Sequence, residues 1–282
     1  MFIGKMVTEA IPSRVFALYQ LVASLSEPQD RETLRTYMEP VALRSSTDSD
    51  KNKTSYFPAI FVTASNELQL IEERENTVVL TNPSNKLRNM ADFCAYTVGR
   101  IEIFKDGHFN QFSQRVLGMN AEIYRYKSLT DNEFLAKIRQ NPELGDLTDP
   151  EARGWRFWAE FLGLGLTVGN DNMEFLPNAY KYIREVLQIQ EKNGEIQKGA
   201  EIDINNFVDG LRAYGSFLFD DEAMNTRTMN MAVSNGLRML NDRNELKLVF
   251  KNDIATNWNL YPNAIHGFGN QVSSVIYKGM KR

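Results

Sequence analysis

One cysteine and two histidines are all that 282 residues offer in soft metal ligands and imidazole. Cys94 has no second thiol for an internal disulfide, which fits a reducing compartment. His108 and His266 are far apart, and neither has a second histidine or a cysteine at metal-ligand spacing. A structural zinc site is therefore set aside, and a histidine-based triad has little to work with. No apolar run approaches the roughly 18 to 20 residues that a spanning helix needs. The opening MFIGKMVTEAIPSR has too short an apolar stretch and too early a glutamate for a secretory signal. A cytoplasmic protein without a membrane segment is expected. Charge of one sign is lacking too. The net charge is −4; residues 1–82 carry 8 basic and 11 acidic groups, 83–199 carry 15 and 16, and 200–282 carry 9 and 9. None of these is a basic domain, so contact with DNA would need a local patch or a larger assembly, because phosphate neutralisation dominates that affinity.

What is present is ordinary globular material: 43% hydrophobic, 24% charged and 11% aromatic residues. The length suits two or three domains. IPSRVFALYQLVASLS places Val15, Phe16, Leu18, Tyr19, Val22 and Leu25 at helical spacing behind Pro12. DRETLRTYME reads as a short second helix with Leu34, Tyr37 and Met38 inward. After a polar connection from Arg44 to Ser55, residues 56–70 read as a third helix, and LQLIEERENTVVLT as a hairpin. Helix, helix, helix, hairpin is the order of a winged helix-turn-helix. The pattern recurs at 153–187, with a turn at Asn170 and Asp171 before MEFLPN, and at 203–250, where GLRMLNDRNELKLVF joins a helix end to alternating Leu246, Leu248 and Phe250. Residues 84–148 read as helical, the stretch from Ile189 to Asp203 as a linker, and Trp258, Leu260 and Tyr261 as packed. The expected fold is mainly α with small β-hairpin wings (α+β), in three parts: 1–82, a winged-helix domain; 83–200, a helical segment with a second such unit; and 201–282, a third.

Few residues suggest catalysis. Gly163, Gly165 and Gly169 follow a helix rather than a strand and read as close packing at its exit. Glu245 and Lys247, with Asp220 and Asp221 upstream, are the minimal carboxylate and lysine set of a metal-dependent nuclease, although alternation on an exposed wing gives the same pattern. Asp220, Asp221 and Glu222 also suit a helix start. Cys94, among Phe93, Ala95 and Tyr96, reads as a buried, inert thiol, and His266 as a loop histidine. No catalytic residue, metal or cofactor is assigned.

The DNA-binding candidates are Arg44, Lys51, Lys53, Thr54 and Ser55 before the third helix of the first unit, opposed by Asp48, Asp50, Glu72, Glu73 and Glu75. In the last unit Arg227, Arg238, Arg243, Lys247 and Lys251 surround the third helix and wing, making it the first place to look for DNA. In the middle unit Arg153, Arg156, Lys181 and Arg184 flank Trp155 and Trp158. Such a cluster serves either stacking on nucleic acid or docking of protein. Arg153, Trp155, Arg156 and Trp158 are the protein-interface candidates, with at least one tryptophan expected in the core.

The three helix-to-wing strings, ELQLIEERENTVVLT, FLGLGLTVGNDNMEFLPN and GLRMLNDRNELKLVF, resemble tandem winged-helix proteins. IPSRVFALYQLV and KNDIATNWNLYP also resemble the DpdG accessory proteins of bacterial DNA-modification and phage-defence clusters. That resemblance implies a non-catalytic subunit beside helicases, nucleases or modification enzymes. The expected function is double-stranded DNA binding and scaffolding in a bacterial DNA-processing or antiviral defence complex, with other protein subunits as partners and homo-oligomerisation left open. Two alternatives stand beside it: a purely protein-binding adaptor like those of chromosome-organising ATPases, and a metal-dependent nuclease using Glu245 and Lys247.

Overall fold

The computed structural model describes residues 1–40, 55–84, 86–169, 174–252, 257–263, 266 and 269–280. Local signals set most helix starts. Helix α1 (Pro12–Ser24) opens on its proline and buries Val15, Phe16, Leu18, Tyr19 and Val22. Helix α2 (Arg31–Met38) is capped by Asp30, whose carboxylate accepts from Thr33 N. It buries Leu34, whereas Tyr37 is exposed, contrary to the inward position expected for it. Helix α3 (Phe57–Val62) runs on as a π-helical turn, Thr63–Glu67. Strands β1 (Ile71–Arg74) and β2 (Thr77–Leu80) then pair antiparallel, Ile71 opposite Leu80. A bridge from Gln29 to Val78 adds a third segment beside β2.

Helix α4 (Met90–Val98), capped by Asn89, and α5 (His108–Gly118) follow. Helix α6 (Asn132–Ile138) is capped by Asp131, and α7 (Asp149–Leu162) by a capping box of Thr148 and Glu151. Gly163 ends α7 at φ 83°, where a side chain is disfavoured, and turns the chain into β3 (Gly165–Val168). β3 pairs antiparallel with β4 (Glu174–Pro177); the turn expected at Asn170 and Asp171 lies outside the described residues.

Helix α8 (Tyr180–Lys192) leads to β5 (Glu201–Asp203). The stretch from Ile189 to Asp203, expected as a linker, therefore begins as the last turn of one element and ends as another. Helices α9 (Ile204–Arg212), α10 (Asp221–Thr226) and α11 (Met231–Asp242) begin at the side-chain caps Asp203, Asp220 and Asn230. Strand β6 (Leu246–Val249) precedes the small pair β7 (Trp258–Asn259) and β8 (Gln271–Val272), and β9 (Ser274–Tyr277) closes the order. β9 lies between β5 and β6, antiparallel to both.

The architecture is α+β, with helices predominating and small antiparallel sheets of two or three strands. Its buried apolar residues form a cluster that draws on the described chain from Met1 to Tyr277. Aromatic rings join distant elements: Phe2 lies edge-on to Trp158 at 4.7 Å, Phe16 stacks on Phe93 at 5.3 Å, and Phe109 meets Phe217 at 6.4 Å. Offset and edge-on pairs of this kind add about 0.5 to 1.5 kcal/mol each beyond the area they bury. Helix α11 is central. A Cβ on Gly236 would come within 2.7 Å of Tyr180 N, so the glycine lets α11 lie directly against the start of α8.

Candidate nucleic-acid interface

A phosphate contact needs a cation whose charge reaches the surface, and the candidates differ in exposure and in the partners they already have. Arg44, Lys51, Lys53 and Thr54 lie outside the described residues. Ser55 is committed: its hydroxyl donates to Glu39 Oε2 at 2.6 Å, while Phe57 N donates to Glu39 Oε1 at 2.8 Å. Glu39, at the end of α2, thus caps the start of α3. Burial alone would raise its carboxyl, but the bonds from Ser55 and Phe57 outweigh that and hold it below its ordinary value.

In the last unit Arg238 is buried, and its guanidinium donates to Tyr261 O at 2.8 Å and Asn270 Oδ1 at 3.2 Å. Desolvation lowers its pKa. The expectation that Arg238 contacts DNA is corrected: α11 is enclosed by α8, α5 and β6, and Met231, Val233, Leu237 and Leu240 fill its faces. The cations that remain on this unit's surface flank that helix. Arg227 is exposed, in a left-handed conformation at φ 50°, and its carbonyl accepts from Asn259 N. Arg243 caps the end of α11 with its guanidinium 4.9 Å from the Tyr180 ring centre. Lys247 stands on the outer face of β6, because Leu246 and Leu248 take the inner one. Lys251 is exposed but paired with Glu201. The bond from Lys251, then that from Ser274, holds the Glu201 carboxyl below its usual range.

The middle cluster divides. Trp155 and Trp158 are both fully buried, and their indoles donate to Ser113 Oγ and Ala10 O, each at 2.8 Å. Their role as interface anchors is corrected, since neither ring reaches the surface; the expectation of a tryptophan in the core holds for both. Arg153 is exposed and pairs with Asp149 at 3.0 Å, while Arg156 is half-buried with its guanidinium 4.6 Å from the Phe157 ring centre. What this unit does expose is its hairpin: Leu166 is 64% exposed and lies across from Leu176, which is 38% exposed.

The carboxylate and lysine pair is also apart in character. Glu245 is buried, receives Tyr180 OH at 2.9 Å and has Arg184 Nε at 3.6 Å, whereas Lys247 faces outward. Among the described residues no three His, Cys, Asp or Glu side chains gather as a metal site would require. Cys94 is buried and its thiol is pushed up to about 12 by desolvation.

One feature was missed from sequence. An open groove of about 870 Å³ runs between α4 and α8. Lys86, Arg88 and Arg100 line one wall, with Arg184 and Lys192 on the other. Their positions are up to 106 residues apart in the chain, so only the fold brings them together. The spacing of Lys181, Arg184, Gln188 and Lys192 along one helical face was the available signal. Compared with known protein families, curated proteins and solved structures, the chain matches none.

Proposed function

We propose that this chain is a non-catalytic subunit that contacts double-stranded DNA and scaffolds other proteins in a bacterial DNA-processing or antiviral defence assembly, with winged-helix units as its building blocks. The observation that carries the reading is a recurring strand order. In the first unit, residue Gln29, which precedes α2, pairs with the second hairpin strand; in the last, β5, which precedes α9, pairs with β9, and β9 pairs with β6. In both units helices separate the lone strand segment from the pair it joins. That order supports the winged-helix reading, in which the third helix and wing are the usual DNA-contacting parts. The likeness to the DpdG accessory proteins points in the same direction.

The burial of α11 changes the mechanism. In the last unit contact would be made by exposed cations beside the helix, Arg243 and Lys247 foremost, which hold phosphates without reading bases. The outward face of α3 carries Pro58, Val62 and Asn66, so it supplies shape and one amide rather than charge. A purely protein-binding adaptor is the second reading. The exposed Leu166 and Leu176 pair favours it, because apolar side chains side by side on a wing suit a protein surface better than a phosphate.

The test is to incubate the purified chain with a duplex of about 30 base pairs at low salt, with and without added Mg²⁺, and run native and denaturing gels. The proposal expects a shifted, uncut duplex in both lanes. Metal-dependent cutting would move the assignment to a nuclease, and the absence of a shift would leave the adaptor reading.

A further inference from the structure

We propose that the groove between α4 and α8 binds the sugar-phosphate backbone of a nucleic acid, and that it is a phosphate site separate from the outer sheet face of the last unit. The inference rests on the reading of the chain as a DNA-contacting protein, and it names where that contact is made. The groove concentrates positive charge in a chain whose net charge is −4: five cations line it against two carboxylates, Asp92 and Glu185. Both carboxylates have donors or cations beside them. Asp92 Oδ2 already accepts from Arg88 N at 2.9 Å. Burial pushes the Glu185 carboxyl above its ordinary value, while Arg184 and Lys181 nearby act in the opposite direction.

The cations fall into two kinds. Arg100 and Arg184 are held in place: Arg100 donates to Gln69 Oε1 at 2.7 Å with its guanidinium 5.6 Å from the Tyr96 ring centre, and Arg184 lies 3.6 Å from Glu245. Guanidinia fixed in this way lose little further entropy when they meet a phosphate, and Glu245 offsets part of the charge of Arg184. Lys86, Arg88 and Lys192 are exposed around them and can follow a strand.

Spacing separates a polymer from a small ion. Arg184 and Lys192 are eight residues apart on one helix, about 12 Å along its axis. One phosphate cannot meet both. A strand of B-DNA carries about three or four phosphates over that length, at roughly 3.4 Å each along the axis. An acidic peptide would also answer the charge, but peptide docking relies on exposed aromatic or aliphatic anchors; here Leu87 is buried and Tyr96 and Ile189 are half-buried, whereas the amides of Asn89 and Asn193 are exposed.

The experiment is fluorescence anisotropy with a labelled 30 base-pair duplex and a labelled single strand of the same length. It compares the intact chain with an Arg88→Glu and Lys192→Glu double variant, a Lys86→Glu variant, and an Arg243→Glu and Lys247→Glu double variant of the last unit. All the substituted residues are exposed, and melting curves check that each variant folds. The expected result is that the groove double variant loses at least about tenfold in affinity and that its log–log salt slope falls by about two, one for each phosphate contact removed. Lys86→Glu shifts affinity in the same direction. If the intact chain binds while both groove variants bind as well as it does, the groove proposal is overturned and DNA contact by another surface stands. If the intact chain binds neither probe, the DNA reading and the groove fall together. Displacement of the duplex by polyglutamate at lower charge concentration than by unlabelled DNA would assign the groove to acidic polypeptide instead.

Discussion

At the scale of single residues, burial decides what a charged or aromatic side chain is free to do. Arg238 shows this most directly. From sequence it belongs to a basic cluster, but in the fold it bonds to Tyr261 and Asn270 behind α11. Arg238→Ala is expected to lower stability by about 2 to 4 kcal/mol, through lost packing and an orphaned carbonyl. It should leave the salt slope of DNA binding unchanged wherever the variant is folded. Urea unfolding and anisotropy on the same preparation check both parts; a changed slope with unchanged stability would return Arg238 to the interface. Cys94 gives a second prediction. With its thiol pushed up to about 12 and its Sγ 3.4 Å from Phe161 O, it should resist a thiol reagent at pH 8 in the native state and react promptly in denaturant. Fast native labelling would contradict the buried setting. That setting was legible in the apolar neighbours of Cys94, whereas the fate of Arg238 was not, because its partners lie 23 and 32 residues downstream.

At the scale of elements, helix starts were the legible part. Asp30, Asn89, Asp131 and Asp220 each cap the helix that follows, as short polar side chains at such positions should. The cap of α3 was not legible, since its acceptor comes from the preceding helix: Glu39 takes the place of a local cap. Removing it by Glu39→Ala should cost about 1 to 2 kcal/mol at neutral pH. The pH dependence follows from the direction of its shift. The folded pKa of Glu39 lies below its unfolded value, so its stabilisation is complete above the unfolded pKa and is lost as pH falls through the folded one. The difference in urea midpoint between wild type and Glu39→Ala should therefore shrink on acidification; a difference that persists well below the carboxylate range would contradict the capping role. Strand β9 was illegible for another reason. It completes the sheet only after the β7 and β8 pair intervenes, so no hairpin spacing announces it.

At the scale of the whole molecule, repetition and charge point to the same account. The helix-to-hairpin order could be read three times in the sequence; the structure has a hairpin at each of the first two places, and at the third a strand, β6, that pairs with the distant β9. The charge surface could not be read in the same way. Counted along the chain, no segment is basic, yet α4 and α8 bring cations from two segments into one groove. The central claim is that the folded chain neutralises several phosphates of a duplex. The most direct measurement is the affinity for a 30 base-pair duplex at about 50 and 200 mM salt. With about four phosphate contacts, affinity should fall roughly a hundredfold between those conditions. Binding that is absent at the lower salt, or unchanged between the two, would contradict the account.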